Sequence, residues 1–356
     1  MNPALTVHMM TAALTPGDAL GNNFLTLHQL LTEFGCRVRL YADWVSPDFP
    51  VAAYPSKLYQ STGEDILWYQ FSIGADNVAC VTHSTDYRVM DFQGVSPPRL
   101  FAGYDPHLEQ LCRQGEELLP QLRDQFDLCV VHSDYSRQLL EEAGYRRIEK
   151  LPMVVETRRY RAPDDTTLSN WLNRIEYLMF VGRVVPQKDI LAMLQTFAEV
   201  HQRHPDAVLI IVGRRDLAPG YQREIDRAVA KLRLDQRVLF LGQVNDASML
   251  ASLYRHARCT LIMSEWESFC VPVVESMYFG TPVVAHDVPP VPEVMGPGGI
   301  VVDKHYPHDA ALAIEAIWSD AARREQLRTA AQARANDFAL EVLRRDLLAM
   351  FQRVFA

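Results

Sequence analysis

Short apolar runs alternate with amphipathic stretches along the whole chain. Apolar runs that read as buried strands fall at residues 5–13, 36–42, 66–71, 88–92, 128–132 and 148–155. A second set follows at 175–181, 207–212, 237–241, 259–263, 282–285 and 299–302. Between them the apolar period lengthens to that of a helix. Residues 19–34 place Leu20, Phe24, Leu27, Leu30, Leu31 and Phe34 on one face, and Gly35 closes the stretch. The same reading gives helices at 107–126, 135–143, 189–204, 221–234, 247–256 and 272–279, then a helical tail from 308 to 356. Strand–helix alternation of this kind builds parallel sheets with helices on both faces. The rhythm breaks once, at 157–173, where Arg158, Arg159, Arg161, Pro163, Asp164 and Asp165 make a polar linker. The expected fold is therefore α/β, with two Rossmann-like, doubly wound domains facing each other across a cleft. The first domain covers 1–165 and the second 166–335.

Composition narrows the classes of function. A chain of 356 residues exceeds one ordinary core. A formal net charge of −9 speaks against a nucleic-acid partner, which would need a basic field. No uninterrupted apolar run reaches the length of a membrane span. The N-terminal stretch lacks a basic flank and reads as a first strand rather than a signal peptide. The six cysteines are scattered without a CxxC pair, which favours free thiols in a reducing compartment, the cytoplasm.

Candidate chemistry concentrates in the second half. From Ser264 to Asp287 an apolar strand gives way to a polar loop holding Glu265 and Glu267. Pro272 then opens a short helix with Glu275 in its first turn, Gly280 closes it, and a further strand follows. A loop at the carboxyl end of a parallel strand is where ligands bind in such sheets. Near residue 181 a strand leads into Arg183 and then Lys188, with Asp189 able to cap the next helix. Two cations beside a helix N-terminus suit a diphosphate, and carboxylates suit the paired hydroxyls of a sugar and a ribose. The backbone N–H groups of Phe269, Cys270 and Val271 precede the helix and would face a phosphate. Taken singly, an Arg/Lys pair is usually a pair of surface charges, and two spaced glutamates are a weak signal. The strand–loop–helix setting is what makes them specific.

With these residues in view the second half resembles the nucleotide-sugar domain of retaining GT-B glycosyltransferases of family 4. The matching pieces are VGR…K (181–188), IIVG (210–213), VLFLGQV (238–244), SEWESFCVPVVESMYFGTPVVA (264–285) and the Glu293-Val294 element. The resemblance implies that Arg183 and Lys188 bind the donor diphosphate, Glu267 the transferred sugar and Glu275 the ribose. Arg183, Lys188 and Glu267 would be the catalytic set. Gly182, Ser268, Phe269, Cys270 and Val271 would line the donor site, with Gly242, Gln243 and Val244 at the nucleobase and Gly213 and Arg214 nearby. The first half is similar to one branch of the family through Gly17-Asp18, Tyr69 to Gly74 and Ser96 to Phe101. There Gly17 would approach the donor phosphate, while Asp18 and Gln93 would face the acceptor. The final helix, 336–356, would cross back to the first domain. The chain departs from the family pattern at Gln70 and Gln93, where relatives usually carry histidine, and at Cys270, where they carry glycine.

The resemblance implies a front-face reaction in which the leaving diphosphate itself helps deprotonate the acceptor. No DxD or His/Cys ligand cluster stands out, so neither metal nor other cofactor is expected. His8, His28, His83, His132 and His286 read as packing or surface residues, and Trp266 as either a sugar contact or a wall residue. The basic group from Arg146 to Arg161 reads as a solvated linker face, with an anionic membrane surface as the alternative. The expected activity is transfer of a hexosyl unit from a GDP- or UDP-sugar to a saccharide or lipid-linked acceptor in envelope or exopolysaccharide synthesis. The protein would be cytoplasmic or peripheral at the inner face of the membrane. The alternative is a nucleotide-sugar-binding partner with little transferase activity.

Overall fold

A computed structural model describes residues 5–17, 19–153, 155 and 165–355. The chain divides into two compact units, one of 1–99, 107–156 and 338–356, the other of 100–106 and 157–337. Asp18 lies outside the described residues, as do Arg158, Arg159, Arg161, Pro163 and Asp164 of the linker.

The first unit holds strands β1 (Thr6–Leu14), β2 (Arg37–Val45), β3 (Ala53–Pro55), β4 (Ile66–Phe71), β5 (Tyr87–Phe92), β6 (Leu128–Val131) and β7 (Ile148–Lys150). Its helices are α1 (Ala19–Glu33), α2 (Val78–His83), α3 (Pro106–Gln121) and α4 (Asp134–Glu142). The sheet runs β3-β2-β1-β4-β5-β6-β7, parallel throughout. All six residues of β4 are buried, as a strand covered on both faces requires. Within this unit the strand expected over 148–155 is shorter, ending at Lys150. The edge strand β3 and the one-and-a-half-turn α2 were not foreseen, because neither is long enough to show a period.

The second unit has α5 (Thr166–Leu172), β8 (Tyr177–Val181), α6 (Ile190–Arg203), β9 (Val208–Val212), α7 (Pro219–Lys231) and β10 (Val238–Gly242). It continues with α8 (Ala247–His256), β11 (Cys259–Ile262), α9 (Val271–Phe279), β12 (Val283–His286), α10 (Val291–Met295) and β13 (Gly299–Val302). Two long helices, α11 (Pro307–Ser319) and α12 (Ala321–Ala335), complete it. Its sheet order is β10-β9-β8-β11-β12-β13, again parallel. The polar stretch read as linker thus contains α5, whose Asp165 N-cap accepts from Leu168 N at 3.0 Å and whose Leu172 is buried. Residues 100–106, which lead into α3 in the chain, belong here. The Tyr104 ring packs edge-on against Tyr221, and its hydroxyl donates to Glu224 at 2.9 Å.

The last helix, α13 (Leu340–Phe355), belongs to the first unit. Leu343, Leu347, Met350 and Phe351 fall on one face at helical spacing and enter the core beside Trp68, on which the Phe351 ring stacks at 6.3 Å. Each such side chain contributes about 1.5–3 kcal/mol through burial. Arg353 pairs with Glu149 at 3.0 Å, and Arg344 pairs with Glu33. Among the described residues no helix is long and apolar enough to cross a membrane.

Both sheets reverse direction once. In the second unit the order grows one way from β8 and the other way from β11, so the loops after these adjacent strands diverge and open a crevice. In the first unit the corresponding pair is β1 and β4.

Candidate active site

The loops after β8 and β11 carry the charged residues singled out from the sequence. Lys188 ends a short turn after β8, and Asp189, at φ 42°, caps α6 by accepting from Ala192 N at 3.1 Å. From that position Lys188 Nζ donates to both carboxylate oxygens of Glu267, at 2.7 and 2.8 Å. Ser264 Oγ donates to Oε1 of the same carboxylate at 2.6 Å. The pair is largely out of water, with Lys188 14% and Glu267 6% exposed, so the carboxylate's orientation is set before any ligand arrives. Arg183 follows β8 after Gly182 and is exposed, and its guanidinium has no hydrogen-bond or ion-pair partner among the described residues.

Two residues not anticipated from sequence hold these loops together. Gln187, buried, donates through Nε2 to Trp266 O at 3.1 Å, and its own carbonyl accepts from Glu265 N at 2.9 Å. Lys304, just past β13 and only 2% exposed, reaches Asp189 at 2.6 Å and Glu265 at 2.7 Å. A buried ammonium is tolerated only with such partners. A lysine in a polar turn carries no local mark of this role.

Helix α9 begins at Val271, with Pro272 in its first turn, so Glu275 lies in the second turn rather than the first. Glu275 is buried and accepts from the Tyr254 hydroxyl at 2.9 Å. The helix is fixed on β11 through Ser276 Oγ, 2.7 Å from Thr260 Oγ1 and donating to Thr281 O at 3.0 Å. Cys270 is the N-cap in the left-handed region, φ 78° and ψ 68°, where a side chain is strained. Its buried thiol is pushed well above the usual range by desolvation and then by the Glu267 carboxylate. Phe269 is buried, while Ser268 and Val271 are half-buried beside the N-terminus of α9.

Gly182 and Gly213 directly follow β8 and β9, and Gly242 ends β10. Gly213 N donates to Gly242 O at 2.8 Å, and a Cβ on Gly213 would sit 1.8 Å from the Gly182 carbonyl oxygen. Only glycine permits this approach. Beyond it lies an open depression of about 570 Å³ lined by Arg214, Arg215, Phe240, Gly242 and Gln243. The Arg215 guanidinium lies 3.8 Å over the Phe240 ring. Exposed Arg214 pairs with Asp216 at 2.7 Å, which raises the Arg214 pKa and lowers that of Asp216. Gln243 is exposed and bonded to Asn245 at 3.0 Å, and Val244 is half-buried.

In the first unit Gly17, at φ 81°, lies in the turn after β1. Gln70 is buried on β4 and fully engaged, accepting from Thr11 Oγ1 at 3.0 Å and donating to Leu20 O at 3.4 Å. Gln93, one residue past β5, donates to Asp91 at 2.6 Å and has a buried Oε1 without a partner among the described residues. His132, read as a packing or surface residue, is buried at a hydrogen-bonding centre: Nε2 is 2.8 Å from Asp91 and Nδ1 is 3.0 Å from Leu151 O. Its neighbour Ser133 instead caps α4, accepting from Ser136 N at 3.0 Å.

A family profile described as "Glycosyl transferases group 1" matches residues 170–334. Residues 170–334 are a glycosyl transferase group 1 domain. That domain spans every second-unit residue of the candidate site, and the fold of the chain is GT-B. A D-inositol 3-phosphate glycosyltransferase of Geodermatophilus obscurus is 30% identical over 239 residues, covering 64% of this chain and 52% of the relative. An O-antigen chain mannosyltransferase B of Escherichia coli is 33% identical over 132 residues, covering 36% of this chain and 32% of its own. The chain thus spans about half or less of these relatives. Anabaena HepE, solved in complex with UDP and glucose, superposes with a TM-score of 0.79 over 98% of this chain and 100% of that one, at 17% identity.

Proposed function

We propose that this group 1 domain protein is a retaining glycosyltransferase that takes a hexosyl unit from a nucleotide diphosphate-sugar, UDP- or GDP-linked. The observation that carries the reading is the buried Lys188–Glu267 pair at the β8/β11 reversal, beside the N-terminus of α9. A carboxylate held by an ammonium at a helix start is suited to a ligand that presents hydroxyls and anionic oxygens together. Glu267 receives the sugar hydroxyls. Lys188 keeps one N–H beyond the two given to Glu267 and extends to the diphosphate, which Arg183 grips from the exposed side. Glu275, oriented by Tyr254, takes the ribose hydroxyls. The depression beyond Gly242, Gln243 and Val244, with Gly213 and Arg214 at its edge, accommodates the base.

As the glycosidic bond breaks, negative charge grows on the departing diphosphate, where Arg183, Lys188 and the backbone N–H groups around Ser268, Phe269, Cys270 and Val271 stabilise it. On this reading two cations and a helix N-terminus suffice, and the reaction needs no metal. Gln93, with its unfilled Oε1, and Asp18 serve the acceptor, a saccharide or lipid-linked saccharide of an envelope or exopolysaccharide. A glycosyltransferase and a mannosyltransferase among the relatives, and a neighbour solved with UDP and glucose, support the class.

The test is transfer and hydrolysis by the purified chain over a panel of UDP- and GDP-sugars. Alongside it, Glu275→Ala is expected to weaken nucleoside diphosphate binding by ~1–3 kcal/mol through lost charged hydrogen bonds. Unchanged affinity would remove Glu275 from the ribose. Tight nucleotide binding with no turnover on any donor would make the protein a binding partner rather than an enzyme.

A further inference from the structure

Strands β12 and β13 end side by side, with His286 in register with Val302. Past that point the chain alternates. Asp303 and His305 point outward, 48% and 69% exposed, while Lys304 between them points inward to Asp189 and Glu265. The outward pair meets His286, half-buried at the end of β12: its ring lies 5.8 Å from that of His305, centroid to centroid. One ligand atom from each of His286, Asp303 and His305 falls within 4.8 Å of the others. Asp303 Oδ1 is already bound to His305, at 2.9 Å from its backbone N–H and 2.7 Å from Nδ1, so two of the three groups are held in place by the turn itself. His286 Nδ1 lies 3.3 Å from Lys304 N and 3.4 Å from Val302 O, so the ring is held in place by the backbone of the neighbouring strand end.

We propose that His286, Asp303 and His305 form a binding site for a divalent metal of the zinc class on the surface of the second unit. Two imidazoles and one carboxylate are the donors that zinc and its borderline neighbours take, with a fourth position left to water. Metal–ligand bonds of about 2.0–2.2 Å put tetrahedral ligand atoms roughly 3.3 Å apart. Side-chain rotation in the two exposed residues closes the remaining distance without moving the strands. The site is separate from the Lys188–Glu267 pair and takes no part in sugar transfer. Its consequence is mechanical. A filled site clamps the turn from which Lys304 holds the loops after β8 and β11, so metal stabilises the second unit from outside the donor site.

The experiment uses the untagged full chain stripped with a chelator. Zinc binding is followed by equilibrium dialysis and by the visible d–d bands of cobalt as a substitute, in wild type, His305→Gln and Asp303→Asn. Both substituted positions are exposed, so folding is retained and is checked by thermal unfolding in chelator. The expected result is wild-type zinc binding at micromolar concentrations, weakened at least ~10-fold in each variant. Zinc should also raise Tm in wild type but not in His305→Gln. Equal zinc binding and equal Tm response in wild type and variants, or no binding at micromolar zinc, overturns the proposal.

Discussion

The carboxyl edges of the two sheets are chemically unlike. At β8/β11 the second unit gathers full charges that enter from loops: Lys188 with Glu267, and Lys304 with Asp189 and Glu265. Toward the carboxyl edge of the first unit's sheet, buried polar groups come from the strands and their ends. Asp91 accepts from Trp68 Nε1 at 3.1 Å and from Gln93 at 2.6 Å, with His132 beside it. Charges carried on loops can change partners when an ionic ligand arrives. Strand-borne groups are locked by the sheet and can only present a fixed shape. The contrast fits the proposed division of labour, in which the second unit takes the nucleotide-sugar and the first unit the acceptor.

Breaking the charged cluster should have the largest effect. Lys188→Ala leaves Glu267 buried without its ammonium, and stability to chemical denaturation is expected to fall by about 3–5 kcal/mol. Turnover should fall further than donor selectivity changes. A variant that altered donor choice at full rate would show that Lys188 reads the sugar and not the diphosphate.

The polar cluster of the first unit should be cheaper to disturb. Asp91→Asn turns an acceptor shared by Trp68, Gln93 and His132 partly into a donor, for a loss of about 1–3 kcal/mol in the same measurement. Nucleoside diphosphate affinity, measured by calorimetry, should not change. A drop in affinity would mean that the division of labour between the units is wrong.

The smallest stability effect is expected at Cys270. Glycine relieves the left-handed backbone but gives up a buried thiol, so Cys270→Gly should shift stability by no more than ~1 kcal/mol in either direction. Its effect should be seen in relative kcat/KM across donor sugars, because the thiol abuts Glu267. An unchanged donor ranking would make Cys270 a packing residue.

Much of the second unit was legible because its chemistry sits immediately after its strands. Arg183, Lys188 and Glu267 follow apolar runs within a few residues, and strand–loop–helix order is a local property. Helix α13 was legible as a helix from its period, and its place in the first unit fits the apolar face it presents. Elements too short to show a period, β3, α2 and α10, were not. Nor were Lys304, Gln187 and His132. A lysine in a turn, a glutamine between a proline and a lysine, and a histidine at a strand end look the same whether buried or exposed.

By itself the sequence determined the alternation of strands and helices and where the polar loops interrupt it, because burial on both faces of a sheet demands apolar runs of that length. It also determined which residue types stand at the strand ends. Only the tertiary structure decided who meets whom. β8 lies beside β11, which brings Lys188 to Glu267 across 79 residues of chain, and Lys304 reaches Asp189 across 115. Spacing along a chain encodes faces of single elements. The order in which parallel strands assemble depends on crossovers and long-range packing, and that order alone turned separate charges into a paired site.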